Sequence, residues 1–569
     1  MSPDPSFNNP FSQAGQAILS ALLKGIHGTG GAEPAAWASV SDVAVRLSRL
    51  QAETAQKHST LWRSMLESRS EPVAVPERGD RRFASESWKS SPYFDYLRQS
   101  YLINARYLVD AVEVLELDPL QKERLRFATR QLVDAMSPAN FAATNPDALK
   151  LALESRGETI TRGILNLVED VGKGRISTTD ESGFEVGRNV AVSPGQVVFE
   201  NDLMQLIQYA PSSDKVRARP LVIVPPCINK FYILDLTPEN SFVRFAVERG
   251  NTVFMVSWRN ITEPDARQTW DDYLDQGVIA ALSTAKEISG ADRVNALGFC
   301  VGGTLLGSAL AVLAARGEEI AESVTLLASM LDFDDTGEIG MFVDEASVAA
   351  RESAIGAGGL MQGRELAFVF SALRANDLVW SYVVNNYLKG RRPEAFDLLY
   401  WNADSTNLPG PMYCWYLRNM YLHNRLREPG ALTMLGVPVD LGRISIPAYV
   451  LATREDHIVP WRTAYRTMGL ISGERRFVLG ASGHVAGIVN PASKNKRSFW
   501  VAPAGGKANP DSDAWIASAE ERPGSWWSDW DAWLERFGGG PVAPRKVLGS
   551  RQHPPKEQAP GRYVKQRVA

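Results

Sequence analysis

The sequence predicts an α/β protein with a mainly parallel central sheet. Short, continuously apolar runs recur at Leu221–Val224, Thr252–Val256, Val294–Leu297, Val324–Leu327, Tyr449–Thr453 and Arg476–Leu479. Continuous rather than alternating apolarity implies burial on both faces, as in parallel strands between helical layers. Helix-like stretches separate the runs, and strand–helix alternation defines the α/β class. The third observation is the stretch NALGFCVGGTLLGSALAVLAA, Asn295 to Ala315, which sets a glycine-flanked cysteine between a strand pattern and a helix pattern.

Taken in order, residues 1–75 are rich in Ala, Ser, Gln and Gly and carry few strand signals, so a variable, partly flexible segment is expected. Within it Phe11, Ala14, Ile18 and Leu22 share one helical face, fit either to pack on the domain or to touch a partner or oily particle. Residues 76–183 read as a helical domain, with Ile160, Ile164, Leu167 and Val171 at helical spacing. From Phe184 the period changes to two, through Val190, Val192, Val197 and Phe199. Ser193-Pro194-Gly195 is the expected turn of a hairpin that opens the sheet. Residues 184–332 and 444–537 form the two parts of the core. Residues 333–443 between them are aromatic and helix-like, long enough to be a cap over a site. Trp526, Trp527, Trp530 and Trp533 crowd one late helix-like segment. Residues 538–569, rich in Gly, Pro, Lys and Arg, are expected to be a flexible tail.

Bulk properties narrow the function classes. A chain of 569 residues with 44% hydrophobic residues can bury a large core. A net charge of -4 gives no basic footprint for nucleic acid. Three cysteines do not make a disulfide framework and suit a reducing cytoplasm. No signal-peptide pattern is seen, and the apolar run after Val301 is too short and glycine-broken for a transmembrane helix. Cys227, Cys300, Cys414 and the six histidines are too scattered for a metal site.

Cys300 stands in Gly298-x-Cys300-x-Gly302, the G-x-S-x-G nucleophile elbow with sulfur for oxygen. A nucleophile on a sharp strand-to-helix turn needs glycine on either side, because a side chain there would strike the neighbouring strand and helix. The following helix N-terminus favours a thiolate, and the Val301 N–H can face a developing oxyanion. Partners are expected in the order nucleophile, acid, histidine. YVLATREDHIVPW supplies Asp456 and RRFVLGASGHVAGIVNP supplies His484, each after its own strand. Glu455 and His457 are the competing acid and base. A second oxyanion donor should follow strand Leu221–Val224, where Ile228 is the expected N–H and Cys227 a small wall residue. Cys414 reads as packing.

At these residues the sequence resembles a class I poly(3-hydroxyalkanoate) synthase. The resemblance rests on VPPCINKFYILDL, TVFMVSWRN, LGFCVGGTLL, NDLVWSYVVNNYLKG, YWNADSTNLPGP, REDHIVPW, FVLGASGHVAGIVNP and GSWWSDWDAW, and spans roughly residues 85 to 535. It implies an α/β-hydrolase fold with a cap insertion and a helical N-terminal domain. It implies an acyltransferase that polymerises (R)-3-hydroxyacyl-CoA and releases CoA, with Cys300 as nucleophile, His484 as base and Asp456 as third member. The family differs on whether that aspartate orients the histidine or activates the incoming hydroxyl. Trp401 and Arg374 match positions near the family's active-site entrance, although Ala375 stands where the family often has Pro. Val301 favours short-chain substrates, and the cluster of Trp526, Trp527, Trp530 and Trp533 reads either as packing of its helix or as a contact for polymer. No cofactor is expected, since the CoA thioester is the substrate. A cytoplasmic homodimer is implied, on polymer granules with the growing polyester chain and phasin-type granule proteins as partners. The rival readings are a cysteine-nucleophile hydrolase or thioesterase on the same fold, and a non-catalytic granule scaffold.

Overall fold

The computed structural model describes residues 34–67, 71–503, 509 and 511–568, with side chains from residue 42 onward. The expected helical face of Phe11, Ala14, Ile18 and Leu22 lies outside the described residues. The chain divides into two compact units: Met1–Asp180 with Val369–Glu394, and Glu181–Phe368 with Ala395–Ala569. Residues 369–394, expected within one continuous cap, therefore cluster with the N-terminal helices.

The first unit holds helices α1 (Pro34–Leu66), α2 (Pro92–Val114), α3 (Pro119–Ala135), α4 (Pro146–Glu154) and α5 (Glu158–Lys173). Proline opens all but the last, where its fixed φ suits the first helical turn and its missing N–H has no partner to lose. Asp118 caps α3 by accepting from the amides of Leu120 and Gln121. Phe83, Trp88 and Ala139 form a small core beside Phe94, Tyr101 and Leu102. Helix α5 is built the wrong way round for a core helix. Its apolar stripe faces out, with Ile164 57% and Val171 72% exposed. Its buried face is polar or small: Thr159, Gly163 and Asp170. That face meets the returning segment, where Tyr387 donates its hydroxyl to Asp170 at 2.7 Å and Asn166 Nδ2 donates to Asn386 O at 2.9 Å.

The second unit is built on an eleven-stranded sheet. Its strands are β1 (Gly195–Glu200), β2 (Met204–Tyr209), β3 (Leu221–Val224), β4 (Val253–Trp258), β5 (Val294–Phe299), β6 (Ala321–Leu327), β7 (Ala448–Thr453), β8 (Arg475–Gly480), β9 (Ser498–Val501), β10 (Glu520–Pro523) and β11 (Glu557–Gln558). The spatial order is β10-β9-β8-β7-β6-β5-β3-β4-β2-β1-β11. The centre, from β4 through β3, β5, β6 and β7 to β8, is parallel, as the apolar runs predict. Both edges are antiparallel.

Two expectations need correction. The opening hairpin is β1–β2, and it turns at Asn201-Asp202-Leu203 rather than at Ser193-Pro194-Gly195. Asn201 makes the turn by accepting on its side-chain oxygen from the amides of Leu203 and Met204. Val190 sits outside the strands, in one isolated bridge with Val186. The end of the chain is also not loose. β11 pairs with β1, Lys556 N donates to Val197 O at 2.8 Å, and Tyr563 and Val564 are buried. Polar composition concealed this because an edge strand is held through its backbone.

Candidate active site

Cys300 sits alone between β5 and helix α6 (Val301–Arg316), at φ 54° and ψ -129°. Positive φ is strained for a residue with a side chain, and such strain persists only where surroundings enforce it. Here the Cys300 N–H donates to Leu327 O at 2.9 Å, while its carbonyl accepts from Gly303 N at 2.9 Å. The glycines are steric necessities. A Cβ on Gly298 would lie 2.4 Å from Gly303 Cα, and one on Gly302 would lie 2.3 Å from Val224 O. The thiol is partly buried, hence reachable, and packs against the main core. Val301 N–H is the first orphan donor of α6.

Asp456 and His484 follow β7 and β8. His484 Nδ1 meets Asp456 Oδ2 at 2.7 Å, and both side chains are almost fully buried. The other Asp456 oxygen accepts from the amides of Ile458 and Val459, both at 2.9 Å, so the carboxylate cannot swing away. With Nδ1 so engaged, Nε2 is the ring nitrogen left for Cys300, whose sulfur is close enough to act on the His484 charge. Burial lowers the His484 pKa, but the Asp456 carboxylate and a Cys300 thiolate outweigh it and hold it well above the ordinary value. The Phe299 ring stacks on the imidazole with centroids 5.5 Å apart. The competing acid, Glu455, is exposed. The competing base, His457, is half-buried, and the Asp456 oxygens are engaged by Thr453, His484, Ile458 and Val459. Cys227 is buried, its thiol pushed up to about 12 by burial and by the nearby Cys300 charge. Cys414 is also buried, with its thiol pushed up to about 11 by burial.

Sequence reasoning missed several groups that build this site. Helix α7 (Trp527–Glu535) and its preceding residue carry buried tryptophans. Trp526 Nε1 donates to Gly487 O at 2.9 Å and Trp527 Nε1 to Ile488 O at 3.0 Å, fastening the loop that carries His484. Trp530 donates to Thr325 Oγ1 at 3.0 Å. All four tryptophans of the cluster are buried, so the polymer-contact reading is overturned in favour of packing. Their indole donors, which no periodicity reveals, are the lost signal. Phe333, Tyr416 and Tyr421 meet edge to face, and Trp270 stacks on Tyr416. Burial, then a Cys300 thiolate, pushes the Tyr421 phenol up, so this aromatic group is within electrostatic reach of the sulfur.

Trp401 is buried and donates from Nε1 to Lys230 O at 2.7 Å, on the loop after β3 that carries Cys227 and Ile228. It is therefore a wall and a tie rather than an exposed gatepost. Arg374 lies in the first unit, where it pairs with Asp377 at 2.5 Å. Among the described residues, no group of three or more His, Cys, Asp or Glu could hold a metal ion. Nor is any helix among them long and apolar enough to cross a membrane.

Comparison with known proteins identifies the fold and the family. The family model described as Poly-beta-hydroxybutyrate polymerase (PhaC) N-terminus matches residues 79–246, and the alpha/beta hydrolase fold model matches residues 220–491. The poly(3-hydroxyalkanoate) polymerase subunit PhaC of Cupriavidus necator is 52% identical over 568 residues, covering 98% of this chain and 95% of that one. The corresponding subunit of Rhizobium meliloti is 42% identical, covering 88% and 81%. The poly(3-hydroxyalkanoate) polymerase of Methylorubrum extorquens is 41% identical, covering 98% and 94%. An α/β-hydrolase fold with a cysteine elbow, matched along nearly its whole length to curated polymerases, belongs to the poly(3-hydroxyalkanoate) polymerase family.

Proposed function

We propose that this chain polymerises (R)-3-hydroxyacyl-CoA, with release of CoA, through a covalent thioester on Cys300. One observation carries the mechanism: a strained elbow cysteine, next to the Phe299 ring that stacks on a histidine itself fixed by Asp456. Cys300 Sγ attacks the thioester carbonyl carbon and its proton passes to His484 Nε2. The carbon–sulfur bond to CoA breaks, and His484 returns the proton to the departing CoA thiolate. One thioester replaces another, so the acyl group stays activated. The 3-hydroxyl of an acceptor then attacks that carbonyl, His484 takes the hydroxyl proton, and the bond to Sγ breaks. The amides of Val301 and Ile228 are the proposed donors to the oxyanion in both steps.

Polymer forms only if water does not compete with the hydroxyl. The packed rings of Tyr416, Tyr421 and Phe333 support that exclusion. Val301, buried beside the nucleophile, supports a preference for short acyl chains. The outward stripe of α5 supports the polyester surface as a partner, because an amphipathic helix lies with its apolar face on an oily phase. Cytoplasmic granule association, a homodimer and phasin-type partners complete the proposal.

The test uses purified full-length chain with (R)-3-hydroxybutyryl-CoA and longer homologues. Thiol release should accompany insoluble product, and mass spectrometry of quenched enzyme should find hydroxyacyl groups on Cys300. Free hydroxy acid without polymer would instead make the chain a thioesterase. CoA release by Cys300→Ala at the wild-type rate would remove the covalent mechanism.

A further inference from the structure

The loop after β3 is fixed through its carbonyls. Pro225 O accepts from Trp258 Nε1 at 2.9 Å. Cys227 O accepts from Thr406 Oγ1 at 2.6 Å, and Ile228 O accepts from the Thr406 amide at 2.9 Å. Lys230 O accepts from Trp401 Nε1 at 2.7 Å. Thr406 is the residue that grips two consecutive peptide units, once with its side chain and once with its backbone. It is 1% exposed, so its hydroxyl has no water to turn to.

Peptide planarity gives this grip a direction. In a trans peptide the C=O of one residue and the N–H of the next lie in one plane and point in opposite directions. Drawing Cys227 O toward Thr406 therefore turns the Ile228 N–H away from Thr406. Among the described residues that N–H donates to no backbone acceptor. The loop itself lies against the elbow, since the carbonyls of Val224 and Pro225 fill the space where a Gly302 side chain would stand. Cys227 is close enough for a Cys300 thiolate to perturb it.

From this geometry we infer that Thr406 is a positioning residue for acyl transfer: its hydroxyl fixes the Cys227–Ile228 peptide and its amide the Ile228–Asn229 peptide, so that the Ile228 N–H is presented to the carbonyl oxygen of the acyl group on Cys300. Thr406 touches no reacting atom; it acts through the orientation of one amide. The inference rests on the covalent reading above, and a two-reaction test separates their failures. Acylation of Cys300 by a thioester builds an oxyanion, whereas alkylation by iodoacetamide displaces iodide at a saturated carbon and builds none.

The experiment compares the full-length chain with Thr406→Val, which keeps the shape and drops the hydroxyl, and Thr406→Ser, which keeps the hydroxyl. Removing an oxyanion donor typically lowers turnover by about 10²–10³-fold. Misaiming one should lower it by about 10–100-fold. Thr406→Val is expected to lose that factor in kcat for CoA release and in the single-turnover acylation rate, with KM within a few-fold. Its iodoacetamide rate at Cys300 should match wild type, and Thr406→Ser should recover most of the acylation rate. Wild-type acylation by Thr406→Val overturns the inference. So does equal slowing of alkylation and acylation, which marks general disturbance, and so does failure of Thr406→Ser to recover. Absence of any acyl group on Cys300 in the unmodified chain would instead bring down the covalent reading itself.

Discussion

Replacing Gly302 by alanine should cost the enzyme far more activity than stability, and the neighbouring Gly307 provides the control. A Cβ at Gly302 would meet Val224 O at 2.3 Å, Pro225 O at 2.5 Å and Pro225 C at 2.7 Å, against an ordinary contact of 3.4 Å or more. Something must yield by roughly 1 Å, and every atom struck is backbone. Val224 is held in parallel register with Gly298, and Pro225 O is held by the Trp258 indole. The displacement therefore passes to the elbow or to the loop carrying Ile228. Overpacking of this kind costs about 1–3 kcal/mol of stability. A 1 Å misplacement of a reacting group costs about 10²-fold in rate. At Gly307 the added methyl would meet Leu331 Cδ2 at 2.6 Å, the end of a side chain rather than backbone, and one that holds neither the elbow nor the Ile228 loop. Thiol release at saturating substrate, paired with a urea melt, reads both quantities. The expected result is at least a 50-fold loss of kcat in Gly302→Ala, on the order of the 10²-fold estimate, with Gly307→Ala retaining most activity. Gly302→Ala within threefold of wild type, or both variants equally impaired, would refute the claim that this glycine maintains the gap between elbow and loop.

Three further outcomes follow from other parts of the structure. Trp526→Phe orphans the Gly487 carbonyl on the His484 loop, at about 1–3 kcal/mol, and Trp527→Phe removes one of the two donors to Ile488 O, the other being the Asn490 amide. Both should slow CoA release more than Trp530→Phe at matched stability. Gly163→Ala places a methyl 1.9 Å from Tyr387 O and should open the first unit to limited proteolysis, whereas Ile164→Ser on the outward face should leave the cleavage rate nearly unchanged. Burial pushes the Asp235 carboxyl up to about 6 despite hydrogen bonds from Ser193 and Ser241. Because the folded state holds this proton more tightly, its contribution is full below the unfolded value of 3.8 and is lost as pH rises through 6. In Asp235→Asn, about 3 kcal/mol of pH-dependent stability between pH 4 and 6 should vanish from urea melts.

The elbow was legible because its chemistry leaves a mark in residue type. Gly298 and Gly302 must lack side chains, and Asp456 and His484 must end strands, which apolar runs disclose. Thr406 was illegible because its work is done on backbone carbonyls, to which any hydroxyl at any separation could donate. The tryptophan cluster showed its bulk but not the direction of its N–H groups. Helix α5 was legible as a helix from the spacing of Ile160, Ile164, Leu167 and Val171. The face it buries was not, because Gly163 and Asp170 found a polar neighbour more than two hundred residues later in Tyr387. The hairpin was displaced by one turn because Asn201 outweighed Pro194 as a turn former. Strand β11 escaped notice since edge pairing asks nothing of its side chains.

The ties around the sulfur also set a schedule for the growing polypeptide. Cys300 leaves the ribosome before Trp401 and Thr406, and well before Trp526 and Trp527, which anchor the loop bearing the imidazole. The thiol is thus made before the residues that fasten the loops on either side of it, so the elbow is complete only when the last tryptophans have packed.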